Sequence, residues 1–441
     1  MESKRNGSDF NISLYEKLYS KIASAFDVNN PMRLIKLGES LLSVFNPGQY
    51  IPIGLSPETN PADNKEISQM FDTATQFNTT FSPVALSVSG AYKRILDYKL
   101  FPLATITEIE KQKLDEAIRS YYFFKDRSDD FMHVYLNASD AYNAAWSSYN
   151  NDRSLPKPSL RLNAAKENAF RAWVNAGKVA QETNVAVISQ YEAMNGGVFW
   201  EKLNRQYIDN QLLIEDGVEF CPVTMVPSYK KWYKNEGWTK FEFNQKDLDN
   251  QSNVAAIAAA GNIDFDYGIV SIDGEGSYSE DKGYTKIDET NLTFKCELMR
   301  VTVTRPWMNP LLFNSKAWKF SPNAPESEYS SGGSIVEDIR PVGAFVTLPT
   351  TYILARNVEV IGQFTDRVQE ILKRNVEASA TVGIGPFSIS GRVSYGGKEH
   401  KIQGSIEGNK IKINDIQIIA VISEVLPKLP NPNPSLPWTA V

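Results

Sequence analysis

Between Val376 and Tyr395 the apolar side chains keep a period of two and change step once. Val376, Ala378, Ala380, Val382 and Ile384 sit at even positions, whereas Phe387, Ile389, Val393 and Tyr395 sit at odd ones. Alternation of this kind marks a strand with one apolar face, and a one-residue change of phase moves every side chain to the opposite face. A tight turn or a bulge between two strand arms produces such a change. From Ser379 onward the polar positions are Ser379, Thr381, Gly383, Ser388, Ser390 and Ser394, with Arg392 the one full charge among them. Exposed sheet faces usually carry Lys, Glu and Arg, so this face is either covered or destined for another surface.

The ribbon has an echo 117 residues earlier: Gly268 to Tyr278 aligns without a gap on Gly385 to Tyr395, and six positions are identical. There Ile263, Phe265, Tyr267 and Ile269 are apolar at odd numbers, and Val270, Ile272 and Tyr278 at even ones. Each copy reads as a hairpin or a sharply bent strand. In the later copy each half has about nine residues, close to the roughly 9–11 that a tilted strand needs to cross a bilayer. Two readings stay open. In a β-sandwich the apolar face is core and the polar face meets water. In a membrane ribbon Ile263, Phe265, Tyr267 and Ile269, with Val376, Ala378, Val382, Ile384, Phe387 and Ile389, turn toward lipid. Asp264, Asp266, Asp273 and Glu275 would then line an acidic path that favours cations.

Elsewhere the period divides the chain in two. Up to about Asn210 it is helical: Leu14, Leu18, Ile22 and Phe26 follow a capping box at Ser13 and Glu16, and Asn30-Pro31 opens a second helix to about Phe45. "NPGQYIPIGLSPETNP" is a loop by composition. From Thr107 no Gly or Pro occurs before Pro156, and Leu160 to Asn195 is Ala-rich, which predicts a long antiparallel helical hairpin over 107–195. After Gly217 runs such as "LTFKCELMRVTVTRPW" read as strands. The expected fold class is α+β: an N-terminal helical bundle over 1–210, then an antiparallel β-sandwich or sheet domain over 217–426. The Pro-rich stretch 427–441 reads as an extended surface tail.

Composition narrows the function. The 441 residues are 42% hydrophobic and 22% charged with a formal charge of −6, as in a globular chain and against a nucleic-acid partner. The charged N-terminus lacks the apolar region of a signal peptide, and no apolar run approaches a membrane-spanning helix. The expectation is a protein made in the cytoplasm that leaves, if it leaves, by a non-classical route. Cys221 and Cys296 allow at most one bridge and read as buried free thiols.

"SYKKWYKNEGWTKFEF" sets Tyr229, Trp232, Tyr233, Trp238, Phe241 and Phe243 among Lys230, Lys231, Lys234 and Lys240. Rings beside lysines suit an anionic headgroup layer or a sugar- or protein-binding surface. They equally suit an element whose rings face the core while the lysines are solvated. The run "RVTVTRPWMNPLLFNSKAWKF" is the most distinctive in the chain. Read alone, Arg305-Pro306-Trp307 ends a strand with a ring packed under a turn. With "NPGQYIPI" and "GIGPFSISG" it resembles a group of soluble bacterial and fungal proteins that carry an Arg-Pro-Trp, Pro, Leu-Phe, Ala-Trp string in this order. That likeness implies no activity. In plan, a helical front half joined to two amphipathic ribbons also looks like α/β pore-forming toxins, including insecticidal ones.

An enzyme finds little support. His133 stands near Asp129 and Asp130 on a predicted helix, without the further ligands a metal needs, and His400 lies in a predicted hairpin turn. No Walker loop, nucleophile elbow or paired-Cys motif occurs. The expected function is therefore non-enzymatic, without catalytic residues, metal or cofactor. Membrane insertion of β-ribbons leads: lipid or a cell-surface receptor is the partner, the active form is a homo-oligomer, and Trp232 and Trp238 anchor the interface. The alternative is a binding or scaffold protein whose ligand surface comprises Trp232, Tyr233, Trp238, Lys230 and Lys231.

Overall fold

The computed structural model describes residues 39–102, 196–214, 217–244, 268–272, 282–286, 292–335, 339–377, 381–395 and 398–438, with a few single positions besides. Ten strands form one antiparallel sheet: β1 (Ser40–Tyr50), β2 (Thr73–Thr75), β3 (Pro83–Ser87), β4 (Thr224–Val226), β5 (Thr239–Asn244), β8 (Thr293–Thr304), β9 (Thr347–Ile361), β13 (Ser405–Glu407), β14 (Lys410–Ile413) and β15 (Gln417–Val425). Five more make a second sheet: β6 (Gly268–Ile272), β7 (Lys282–Lys286), β10 (Thr381–Ile384), β11 (Phe387–Tyr395) and β12 (Lys398–Gln403), in the order β7-β6-β10-β11-β12. Across the large sheet the main order is β1-β15-β9-β8, with β4 and β5 pairing successive stretches of β8.

The expected fold class needs correcting. The chain is built mainly of strands around a large antiparallel sheet, and no N-terminal helical bundle with a long hairpin is found among the described residues. The hairpin expected over 107–195 falls almost wholly outside those residues, as do Leu14, Leu18 and Phe26 of the first expected helix. The front half is not a separate helical unit, because β1 pairs in antiparallel fashion with β15, some 380 residues further on. Residues 40–45, read as the end of a helix, belong to β1. "SLLSVF" is apolar on both sides of its pleat, and a short continuous apolar run does not distinguish a fully buried strand from a buried helix.

Both faces of the large sheet are covered, which explains such runs. Leu42, Val44, Leu298, Ile353 and Ala355 point toward the second sheet and share a core with Val382, Ile384, Phe387 and Ile389. Phe45, Met299, Val301, Tyr352 and Leu354 point the other way. There they meet Ile67, Met70 and Phe71 of helix α1 (Pro61–Phe71), and Tyr229 and Trp232. All nine residues of β15 are buried. A third core joins helix α2 (Val88–Tyr98) to helix α3 (Gly196–Asp209) through Tyr92, Phe199 and Trp200 and takes in Trp307, Trp318 and Tyr329. The Pro-rich C-terminal stretch is partly docked: Lys428–Leu429 pairs with Ser330–Ser331, and Leu429 is fully buried.

The Arg-Pro-Trp run does what its residues suggest. β8 ends at Thr304, Met308 N–H donates to the Arg305 carbonyl, and the Trp307 ring is fully buried with Nε1 donating to Pro222 O at 2.8 Å. Arg305 itself is buried. Its guanidinium donates to Pro349 O at 2.7 Å and Phe71 O at 2.8 Å, tying β9 to the end of α1. Cys221 and Cys296 are free and buried, and burial pushes both thiols up from the usual range. Among the described residues no helix is long and apolar enough to cross a membrane.

Two outcomes follow. Arg305→Met removes the guanidinium donor to Pro349 O and leaves Phe71 O with only the long Tyr352 hydroxyl contact at 3.4 Å, and should destabilise the fold by about 3 kcal/mol in chemical denaturation. Because the thiolate is the reactive form and burial raises both thiols, Ellman's reagent at pH 8 should find no thiol in the native protein and two in denaturant.

Candidate functional site

The two amphipathic ribbons lie in segments that leave and re-enter the large sheet at one place. β5 ends at Asn244, which stands opposite Thr293 at the start of β8. Thr293 also stands opposite Ile361, the last residue of β9. Ile361 in turn faces Lys410, the first residue of β14. Asn244, Thr293, Ile361 and Lys410 thus form one row across four neighbouring strands, and two segments hang from it, 245–292 and 362–409, each 48 residues long.

The row extends the internal echo from the ribbons to the strands that carry them. Asn244 to Ile361 and Thr293 to Lys410 are separated by the same 117 residues that separate Gly268 from Gly385. Side chains on the stems repeat too. Glu242 stands opposite Lys295 in the first stem, and Glu359 opposite Lys412 in the second. Lys295 Nζ lies 3.3 Å from Glu242 Oε1, while Glu359 Oε2 takes its ion pair from Lys410 at 3.1 Å. Lys240, Glu242, Lys295, Glu359, Lys412 and Asn414 edge an open groove of about 580 Å³. These partly exposed pairs contribute little stability. Their value is as a marker of the repeat.

Within the second segment, helix α4 (Asp366–Glu377) precedes the hairpin of β10 and β11. The helix packs Val368 and Leu372 into the same core as the hairpin. The change of phase read in the sequence is the hairpin loop: Ile384 pairs with Phe387, and Gly385 has φ 54° at the first loop position. A two-residue loop needs a left-handed residue there, which glycine supplies without a Cβ clash. In the first segment the homologous Gly268 opens β6, which pairs with β10 on one side and β7 on the other.

Next to the loop both faces of the hairpin are covered. Val382, Ile384, Phe387 and Ile389 are buried, and so are Ser388 and Ser390 on the other side of the pleat. The covering element is β1, whose pairing with β15 shifts register between Val44 and Gln49. The irregular residues Pro47 and Gly48 press on the hairpin. Ser388 N–H donates to Gln417 Oε1 at 2.7 Å, and the Ser388 hydroxyl donates to the Gly48 carbonyl. A Cβ on Gly48 would stand 2.6 Å from Pro386 O, 2.8 Å from Gln417 Oε1 and 2.9 Å from Ile418 O. Small polar side chains are what such a seam accepts. "NPGQYIPI" and "GIGPFSISG" therefore meet in space, a contact that reading the first as a plain loop missed.

The expected site residues fall into three groups. Val382, Ile384, Phe387 and Ile389 come together as anticipated, on one buried hairpin. Val376 belongs to α4 rather than to a strand, and Ile269 lies on β6. Ile263, Phe265, Tyr267 and Ala378 lie outside the described residues, as do Asp129, Asp130 and His133. His400 is on β12, opposite Val393.

The aromatic–lysine cluster divides between core and surface. Trp232 is fully buried against Phe71, and Nε1 donates to Pro227 O at 2.8 Å. Trp238 is half-buried beneath Arg356, whose guanidinium sits 4.3 Å from the ring centre while its Nε donates to Glu297 at 2.7 Å. Tyr233 keeps 38% exposure, with its hydroxyl on Pro52 O. Lys231 is exposed, and Lys230 reaches Glu58 at 3.8 Å. The rings pack on the far face of the large sheet, with Trp232 in the core and Trp238 partly buried against it.

Among the described residues, no group of three His, Cys, Asp or Glu side chains gathers as a metal site. No protein-family model, curated protein or solved structure matches the chain.

Gly48→Ala tests the seam. The added methyl meets three oxygens closer than contact distance, so the hairpin should loosen by about 1–3 kcal/mol. In hydrogen exchange, protection of the Val382–Ser390 amides should fall roughly 10- to 100-fold while the β8–β9 amides keep theirs.

Proposed function

We propose that the protein is membrane-active and pore-forming: a water-compatible form assembles into a homo-oligomer and inserts the amphipathic ribbons of its two 48-residue segments into a bilayer. One observation carries this reading. Both segments hang from the same row, Asn244–Thr293–Ile361–Lys410, of four consecutive antiparallel strands. Releasing either leaves every pairing among β5, β8, β9, β14 and β15 intact, with loss of the short β13–β14 pairing for the second segment, so the ribbons can leave without breaking the main ladder.

Their chemistry supports the same reading. Each segment folded in half gives two arms of 24 residues, whereas a tilted strand spans the hydrocarbon with about 9–11. The apolar positions cluster in the ten residues of each arm nearest the turn, and of the charges of α4 Asp366, Arg367, Glu370, Lys373 and Arg374 fall outside that stretch while Glu377 lies within it, on the polar side of the alternation. In the water-compatible form the oily face is withdrawn into the core beneath β1 and α4. The ligand-surface alternative loses its support, since Trp232 is in the core and Trp238 lies half-buried under Arg356.

Vesicles of phosphatidylcholine with phosphatidylserine, loaded with a small dye and a large dextran, test the proposal. The full chain should release the dye, retain the dextran and form oligomers on the membrane. Phe387→Asp, in preparations whose circular dichroism matches the parent, should lose release by at least ten-fold, because a charge on the lipid face is costly. Planar-bilayer currents should prefer cations, and Asp273→Lys with Glu275→Lys should weaken that preference. Absence of release at every lipid composition, with the protein staying monomeric, would overturn the proposal.

A further inference from the structure

The stems dictate a register for the ribbons, and the folded ribbons depart from it by one residue. Continued outward from Thr293 opposite Ile361, the β8–β9 ladder sets Ile272 opposite Val382 and Val270 opposite Ile384. In the structure Ser271 stands opposite Val382 and Ile269 opposite Ile384. Continued from Ile361 opposite Lys410, the β9–β14 ladder sets Val382 opposite Ile389. The β10–β11 hairpin begins in that register, with Ile384 opposite Phe387 and Gly383 opposite Ser388, then slips so that Val382 faces Ser390. The β6–β10 pairing is one residue off at every pair from Thr381 to Ile384, and the β10–β11 hairpin leaves the stem register between Gly383 and Val382.

A one-residue slip in a sheet exchanges the faces of all side chains beyond it. In the folded register the apolar arm of the second ribbon is therefore matched to Ser271 and, by sequence, to Asp273 of the first. In the stem register the match reverses. Tyr267, Val270, Ile384 and Phe387 form one row across four arms, and Phe265, Ile272, Val382 and Ile389 form the next. Three further rows on that face, reaching Ala259, Tyr278, Val376 and Tyr395, hold only Gly, Ala, Val, Ile and Tyr. The face is free of charge for five rows, or ten residues per arm, about the span of a bilayer. The opposite face collects Asp264, Asp266, Asp273 and Glu275 with the serines.

We infer that insertion joins the two segments into one four-stranded sheet continuous with β5, β8, β9 and β14, and that the β6–β10 pairing shifts by one residue to reach it. The folded register keeps the two apolar faces out of phase, so no continuous lipid-compatible surface exists until the slip is corrected. This register shift rests on the membrane-insertion reading above.

Paired cysteines distinguish the registers, because neighbours on one strand point to opposite faces. In a full-length background carrying Cys221→Ala and Cys296→Ala, Ser271→Cys with Val382→Cys probes the folded register, and Ile272→Cys with Val382→Cys the stem register. Under mild oxidation, 271–382 should bridge in water, abolish dye release from the phosphatidylserine vesicles, and restore it on reduction. The 272–382 pair should bridge only in vesicle-bound oligomers. A 271–382 bridge that leaves release unchanged, or oligomers that release dye with the 272–382 pair unbridged, overturns the register shift while leaving insertion standing. No release from the cysteine-free background itself, when the unaltered chain releases dye, is a failure of that background, and the pairs are then placed in the natural chain, whose two thiols are buried. No release from either defeats insertion and the register shift together.

Discussion

Strands β8 and β9 pair from Thr293 opposite Ile361 to Thr302 opposite Thr351, and the rest of the molecule is positioned by that ladder. β15 adds to the outer side of β9, and β4 and β5 to the outer side of β8. Arg305, one residue past the end of β8, binds carbonyls of Pro349 and Phe71 and so holds α1 on one face. On the other face the ladder's inward side chains meet the ribbon hairpin. The pairing of β5, β8, β9 and β14 fixes the single row of four residues at which both inserted segments start and end.

On the membrane-insertion reading that we propose, the ribbons have to reconcile two requirements. A segment able to meet hydrocarbon needs one uninterrupted apolar face, and such a face cannot be left in water. Burial under β1 and α4 meets the second requirement, and a face of Ser, Thr and Gly meets the first without adding bulk. Gly48 and Ser388 show how closely the parts fit, since the hairpin turn and the irregular stretch of β1 approach to backbone contact. The repeat of 117 residues gives both segments the same length, yet their folded partners differ: β10 returns as β11 across its own loop, whereas β6 pairs with β10 and β7.

Legibility in the sequence followed burial. Ribbons with one apolar and one polar face declared themselves by alternation, and Gly385-Pro386 marked the loop between the arms. β1 did not, because Leu41, Leu42, Val44 and Phe45 are buried on both sides of the pleat and carry no period of two. The aromatic–lysine run was legible only as a choice. Trp232 next to Lys230 and Lys231 has the composition of a surface, and the decision that its ring enters the core came from Phe71 and Tyr229 packing against it. Arg305-Pro306-Trp307 was readable as a strand end because proline stops a ladder locally, wherever the strand lies.

The amino-acid sequence by itself determined the phase of β10 and β11 and the turn between them, which depend on neighbours within about ten residues, and it carried the echo at a fixed spacing. The tertiary structure alone decided that β6 lies beside β10, that the small polar face is sealed by Pro47 and Gly48, and that the pairing is one residue out of step with the stems. Those facts depend on hydrogen-bonded ladders between segments more than a hundred residues apart. Alternation along a strand says which side chains share a face, and only the partner strand fixes what each one stands against.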